Sequence, residues 1–130
     1  MVGLGNVASA QSDQAARNFE AGRRAFEAQD YAAALSAFEA AAEAGMSGPA
    51  VHFNIGVAAF RVGRYDRAEA AFRHVADTPE MAPLAHYNLG LVALGTDDRA
   101  AAERWFSRAE SGASDERLRA LATTRLAELR

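Results

Sequence analysis

Small and apolar residues recur along the chain at a fixed spacing of 34 residues. The segments NIGVAAFRVGRYDRAEAAF (54–72) and NLGLVALGTDDRAAAERWF (88–106) carry the same pattern, and EAGRRAFEAQDYAAALSAF (20–38) is a third copy. Four registers coincide in all copies: Gly22, Gly56 and Gly90; Ala34, Ala68 and Ala102; Phe38, Phe72 and Phe106; Ala41, Val75 and Ala109. A repeat period between about 20 and 50 residues indicates stacked supersecondary units.

Each copy contains two stretches with helical periodicity. In the second copy these are His52, Ile55, Gly56 and Ala59, then Ala68, Ala71, Phe72 and Val75. Both sets recur at i, i+3, i+4 and i+7, which is typical of one helix face. Between them lies Gly63, where a left-handed glycine can end a helix, and Asp98 can cap the corresponding helix of the third copy. The pattern predicts a helix, a tight turn and an antiparallel helix in every unit.

The repeat divides the chain into one domain of several units. We predict units at residues 13–48, 49–82 and 83–116, followed by a capping helix over 117–130 with apolar positions Leu118, Leu121, Leu126 and Leu129. Residues 1–12 are either a flexible tail or the stub of a signal peptide, because Ala8-Ser9-Ala10 resembles a cleavage site. The second alternative implies a periplasmic or secreted protein and the first a cytoplasmic one.

The repeated pattern resembles that of the tetratricopeptide repeat family. The residues that carry the resemblance are Ala34-Phe38-Ala41, Ala68-Phe72-Val75 and Ala102-Phe106-Ala109, with Tyr31 and Tyr65 as turn aromatics. Arg99 stands where the third turn aromatic belongs, and Asn18, His52 and His86 replace an early aromatic. The resemblance implies an all-α, right-handed α-solenoid of three helix-turn-helix repeats plus a capping helix.

The small residues suggest how the two helices of a unit cross. We expect Gly22, Gly56 and Gly90 to lie opposite Ala34, Ala68 and Ala102, so that two backbones approach closely. The three phenylalanines would then fill the gap between one unit and the next.

Stacked units leave a concave surface built mostly from their first helices. A stripe of residues beside the packing seam is expected to line it: Phe19, Arg23 and Phe26; Phe53, Val57 and Phe60; Tyr87, Leu91 and Leu94. Asn54 and Asn88 flank the stripe and could bond to a peptide backbone, while Arg23 and Arg61 could anchor an acidic group. The alternative interpretation is that the stripe belongs to the core. A third possibility is that residues 1–12 fold back into this groove.

Some members of the family hold an acidic C-terminal tail in a clamp of Lys, Asn and Arg. In this chain the matching places hold Phe19 and Arg23 in the first unit and Leu84 and Asn88 in the third, so only Asn54 agrees with that pattern. The resemblance therefore implies an apolar, aromatic groove that receives a hydrophobic peptide or helix.

Composition narrows the remaining function classes. The chain has no cysteine and a net charge of −3, which excludes thiolate chemistry and gives no electrostatic footprint for nucleic acid. We find no phosphate-binding loop, nucleophile with a spaced base or apolar run long enough for a membrane. His52 and His86 occupy equivalent repeat positions, and the sequence supplies no third metal ligand beside them. We therefore expect no catalytic site, cofactor site or metal site. Two hypotheses remain: a peptide-binding scaffold, and a structural module that self-associates or docks within a bacterial envelope assembly.

Overall fold

Seven helices account for the part of the chain that the computed structural model describes, which is residues 4–130, with side chains from residue 9 onward. Their bounds are α1 Leu4–Glu27, α2 Tyr31–Glu43, α3 Pro49–Arg61, α4 Tyr65–Val75, α5 Ala82–Gly95, α6 Arg99–Gly112 and α7 Glu116–Leu129. No strand occurs within these described residues.

The helices form three hairpins that stack in chain order. Within a hairpin α1 packs on α2, α3 on α4 and α5 on α6, and the hairpins meet where α2 packs on α3 and α4 on α5. α7 packs on α6 and also touches α5. The predicted all-α solenoid of three repeats with a further C-terminal helix is therefore confirmed.

The first helix is longer than the sequence pattern predicts. α1 begins at Leu4, so residues 4–12 are helical where a flexible tail was one of the two expectations, and residues 1–3 lie outside the described residues. Ser12 and Asp13 are good capping residues, but Ala8, Ala10, Ala15 and Ala16 on either side of them favour a continuous helix. Residues 4–12 therefore cannot fold back into a groove while α1 is intact.

Each hairpin turns on one residue with left-handed backbone geometry. Gly63 has a φ of 81° as predicted for a glycine that ends a helix. Its equivalents are Gln29 and Asp97, with φ of 62° and 61°, a conformation that costs side-chain-bearing residues free energy. The next residue in the outer two turns is an aspartate that caps the second helix: Asp30 accepts from the Ala33 amide at 3.1 Å and Asp98 from the Ala101 amide at 3.0 Å.

The crossing of the two helices in a hairpin differs from the expected glycine-to-alanine contact. A methyl group built on Gly22 would lie 2.6 Å from the Phe38 ring, and one on Gly56 would lie 2.6 Å from the Phe72 ring. Gly90 faces Phe106 in the same way. The glycine thus makes room for the phenylalanine of its own hairpin, because a planar ring needs a flat, bare backbone surface. Phe38 also lines the cavity between the first two hairpins, so this ring packs within its own hairpin and borders the next one.

The phenylalanines are the largest fully buried side chains of the core. Phe38 and Phe72 are each 1% exposed and Phe106 is 0% exposed, and the equivalent alanines Ala34, Ala68 and Ala102 are also completely buried. Phe38 and Phe72 belong to the core of the first two hairpins, whereas Phe106 belongs to a second cluster formed with α7.

Candidate functional site

The stripe of predicted groove residues lies along the first helices of the hairpins, on α1, α3 and α5. Phe19 and Phe53 pack against the buried phenylalanines of their own hairpins: the ring centroids of Phe19 and Phe38 are 5.4 Å apart in a tilted arrangement, and those of Phe53 and Phe72 are 5.7 Å apart edge-on. Both Phe19 and Phe53 are half-buried. The stripe is therefore partly core, as the alternative interpretation held, and partly accessible.

An open cavity of about 380 Å³ lies between the first two hairpins. We call it the groove cavity. Its lining is Arg23, Phe26, Glu27, Phe38, Phe53, Asn54 and Val57. α1 and α3 thus bring five of the residues singled out from the sequence into one site. Aromatic and aliphatic side chains form its walls, and charged and amide groups stand at its edge.

The two asparagines that flank the stripe are placed differently. Asn88 Nδ2 donates to the Leu84 carbonyl at 2.9 Å, one turn back in its own helix. Asn54 lines the groove cavity, and its amide has no hydrogen-bond partner within the described part of the chain. Asn54 therefore has its whole amide group available at the cavity, whereas the Asn88 amide uses one of its N–H groups within α5.

In the first two hairpins the end of the stripe packs on the turn. Phe26 and Tyr31 rings meet edge-on at 5.0 Å, and Phe60 and Tyr65 meet at 5.6 Å. Arg61 lies over the Tyr31 ring with its guanidinium carbon 5.1 Å from the centroid. Arg61 thus ties two hairpins together by a cation–π contact and lies outside the groove cavity.

In the third hairpin α7 covers the beginning of the stripe. Tyr87 is only 8% exposed, and Arg125 Nε of α7 donates to its hydroxyl oxygen at 3.2 Å. This hydrogen bond raises the pKa of Arg125. Leu91 and Leu94 pack on the same cluster, which includes Leu126 of α7. Tyr87 thus differs from the expectation that it faces a partner, because the capping helix uses this part of the stripe as its own packing surface.

Arg99, the departure from the turn aromatic, has a structural role that sequence reasoning missed. Its Nη2 donates to the Leu129 carbonyl at 2.8 Å. This carbonyl lies at the C-terminal end of α7, where the helix dipole is negative and a cation is stabilising. Tyr31 meets Arg61 and Tyr65 meets Gly95 at the same separation of 30 residues. Arg99 and Leu129 are also 30 residues apart, so this constant spacing could have indicated from the sequence that Arg99 contacts the end of α7.

The histidines do not assemble a metal site in the residues that the structure describes, where no group of three His, Asp or Glu side chains has suitable placement. His52 instead packs on His74, with ring centroids 3.9 Å apart, and His86 stacks on Trp105 at 5.4 Å. Burial lowers the pKa of His52, and His74 and Arg67 lower it further.

A protein-family model matches most of the chain and shows its family. The model described as Tetratricopeptide repeat matches residues 19–81 and 58–116, which together span most of the chain. The chain belongs to the tetratricopeptide repeat family. No curated protein matches it. Among the described residues, no helix combines the length and the apolar character that crossing a bilayer requires.

Solved tetratricopeptide structures share the fold at low sequence identity. PcrH from Pseudomonas aeruginosa, in complex with the chaperone binding region of PopD, has a TM-score of 0.80 at 19% identity, covering 90% of this chain and 91% of that one. The first tetratricopeptide domain of Spaghetti (RPAP3), bound to an HSP90 peptide, has a TM-score of 0.76 at 19% identity, with 91% coverage of both chains. The N-terminal domain of stress-induced protein-1 from C. elegans has 0.74 at 19% identity, with 92% and 97% coverage.

Proposed function

We propose that this protein is a non-catalytic scaffold that binds an apolar segment of a partner protein in the groove cavity. The single observation that carries the proposal is the cavity itself. It opens between two hairpins, its walls are Phe26, Phe53 and Val57, and it is about 380 Å³ in volume. Ligand sites are typically concave and mostly apolar, with few polar groups that orient the ligand.

The edge of the cavity supplies the orienting groups. Asn54 can donate to and accept from a peptide backbone. Arg23 is bonded to Glu20 at 2.9 Å and lies 3.7 Å from Glu27, so its charge is shared with two carboxylates of its own helix. We therefore assign affinity to the apolar walls and orientation to Asn54.

The relatives support a peptide ligand without identifying it. PcrH has been solved with a region of PopD and Spaghetti with an HSP90 peptide, so this fold accommodates peptide partners. At the places that match a clamp for acidic tails, this chain has Phe19, Arg23, Leu84 and Asn88, and only Asn54 agrees with the clamp pattern. We accordingly propose a hydrophobic peptide or helix as the ligand rather than an acidic C-terminus.

Peptide display against the purified protein tests the proposal. Selected peptides should share one or more large apolar side chains, and fluorescence polarisation should show that Val57→Asp weakens their binding at least tenfold, because a carboxylate would be buried against them. Val62→Asp is the matched control, since Val62 is 36% exposed outside the cavity. Equal affinities for the two variants would contradict the proposal.

Self-association through α7 is the second candidate function, and one observation favours it. Leu121 on α7 is 51% exposed, although this helix caps the array. If α7 docks onto a second copy, light scattering should give a dimer mass for the native protein and a monomer mass for Leu121→Glu. A monomer mass for both would eliminate this candidate.

A further inference from the structure

A second concave site lies between α4 and α6, on the side formed by the second helices of the hairpins. We call it the α4/α6 crevice. It has a volume of about 360 Å³, and its lining includes Glu69, Arg73, Asp98, Arg104, Trp105 and Arg108. The polar residues that line the groove cavity are Arg23, Glu27 and Asn54. The α4/α6 crevice instead has three arginines in its lining, Arg73, Arg104 and Arg108.

Trp105 lies at the centre of this arginine cluster. The guanidinium carbon of Arg73 is 5.1 Å from the centroid of the indole ring, and that of Arg108 is 5.0 Å away. Cations at such distances are attracted by the ring face, so Trp105 holds two arginines from different helices beside each other. The indole itself is half-buried.

Comparison of the two hairpin junctions shows what the α4/α6 crevice lacks. Between α2 and α4, Arg67 Nε lies 3.3 Å from Glu39 Oε1, so an ion pair joins the two helices. One repeat later the place of Glu39 is taken by Arg73 and that of Arg67 by Ala101. The α4/α6 junction therefore has a cation where the preceding junction has its carboxylate.

The carboxylates in the crevice are already engaged. Glu69 pairs with Arg73 within α4, at 3.0 Å, and Asp98 accepts from the Ala101 amide as the cap of α6. In the described residues no carboxylate oxygen lies within 4 Å of Arg104 or Arg108. Arg104 and Arg108 are four residues apart on α6, and like charges at this spacing repel each other. A bound anion would reduce the repulsion between them.

The positive charge of the cluster also affects the pKa of the neighbouring His86. Burial lowers the pKa of His86, and Arg108 lowers it further. His86 stacks on Trp105, so the residue that is affected by the charge of Arg108 is in contact with the indole ring. An anion placed there would relieve this repulsion.

We propose that the α4/α6 crevice binds an acidic peptide segment, whose carboxylates pair with Arg104 and Arg108 beside the Trp105 ring. Guanidinium groups bind carboxylates through two parallel hydrogen bonds, which suits two arginines presented on one helix. This site goes beyond the proposed function of the groove cavity, and the two surfaces bind ligands of opposite character.

Trp105 is the only tryptophan of the chain and therefore reports directly on the site. Titration of the full chain with hexaglutamate at low salt should produce a saturable change of tryptophan emission, and calorimetry should show binding. Arg104→Gln/Arg108→Gln should weaken this binding by about tenfold or more. Arg64→Gln/Arg117→Gln carries the same charge change at exposed positions elsewhere and should alter the affinity less than about twofold.

Several results would overturn the proposal. They are absence of saturable hexaglutamate binding, equal loss of affinity in the two double variants, and equal binding of hexalysine or of inorganic phosphate alone. Circular dichroism of each variant confirms folding, and the single variant Arg104→Gln replaces the double one if that does not fold. Val57→Asp should bind hexaglutamate normally, so failure of this proposal is distinguishable from failure of the peptide groove.

Discussion

Gly56 and Phe72 are in contact across the second hairpin, and a methyl group on Gly56 would lie only 2.6 Å from Cε1 of the ring. Because Phe72 is 1% exposed, the ring has no free space into which it can move. Gly56→Leu should therefore lower the free energy of unfolding by about 1–3 kcal/mol through overpacking. Urea denaturation followed by circular dichroism measures the change.

A matched pair of alanine variants isolates this contact. Gly56→Ala should cost less in a protein that also carries Phe72→Leu, because the smaller side chain leaves room for the methyl group. Gly112→Ala is the control, since a methyl there would lie 3.4 Å from Pro83 Cγ, which is ordinary van der Waals contact. If Gly56→Ala and Gly112→Ala have the same effect, the close approach is not what requires glycine.

The left-handed turn residue of the first hairpin offers a stabilising substitution. Gln29 has a φ of 62°, at the position where the second hairpin uses Gly63. Gln29→Gly should raise the free energy of unfolding by about 0.5–1 kcal/mol, because glycine adopts this conformation without steric cost. Gln14→Gly, within α1, should instead lower it by about 1 kcal/mol. Loss of stability in both variants would contradict the turn geometry.

The hydrogen bond from Arg125 to Tyr87 should help to hold α7 in place. Tyr87→Phe removes only the hydroxyl group, so we expect a loss of about 0.5–1 kcal/mol and faster amide exchange in α7. Tyr65→Phe makes the same chemical change in a tyrosine whose contacts are made by its ring, and it should leave exchange in α7 unaltered. Unchanged exchange in both variants would mean that α7 is held by its apolar residues alone.

Stability should decrease on acidification because two histidines are disfavoured as cations in the fold. Burial lowers the folded-state pKa of His52 and of His86, and Arg67 and Arg108 act in the same direction. Unfolded histidines bind protons near pH 6.5, so the unfolded state takes up protons first as the pH falls from 7 towards 5, and the free energy of unfolding decreases.

The double variant His52→Gln/His86→Gln should have a flatter pH dependence over that window. Denaturation curves at pH 5, 6 and 7 give the slope directly. A native protein as stable at pH 5 as at pH 7 would show that these histidines do not titrate differently in the folded and unfolded chain.

The sequence predicts the hairpins well because each depends on local rules that a single chain displays. Gly63 and Asp98 mark a turn and a cap by their own chemistry, and the period of 34 residues identifies the registers. The partner of Gly56 was mistaken for Ala68 because residues on one helix face do not reveal which neighbour their backbone touches. That choice depends on the size of Phe72 and on the tilt of the two helices.

The sequence predicts the candidate site correctly in the first two hairpins but not in the third. The positions of Phe53 and Val57 follow from helical periodicity, and the structure places them in one cavity. The burial of Tyr87 depends on where α7 docks, which is a contact between residues 38 positions apart that no periodic pattern contains. The arginines around Trp105 were likewise invisible, because the cluster forms only when α4 and α6 lie side by side.

Nuclear magnetic resonance of the isotope-labelled protein with a display-selected apolar peptide tests the central claim most directly. We expect saturable shifts of the Asn54 side-chain amide and the Val57 methyl groups, with smaller shifts at Phe26 and Phe53, and none at Leu121. Shifts confined to α7 or to the α4/α6 crevice, with the groove cavity unperturbed, would contradict the account.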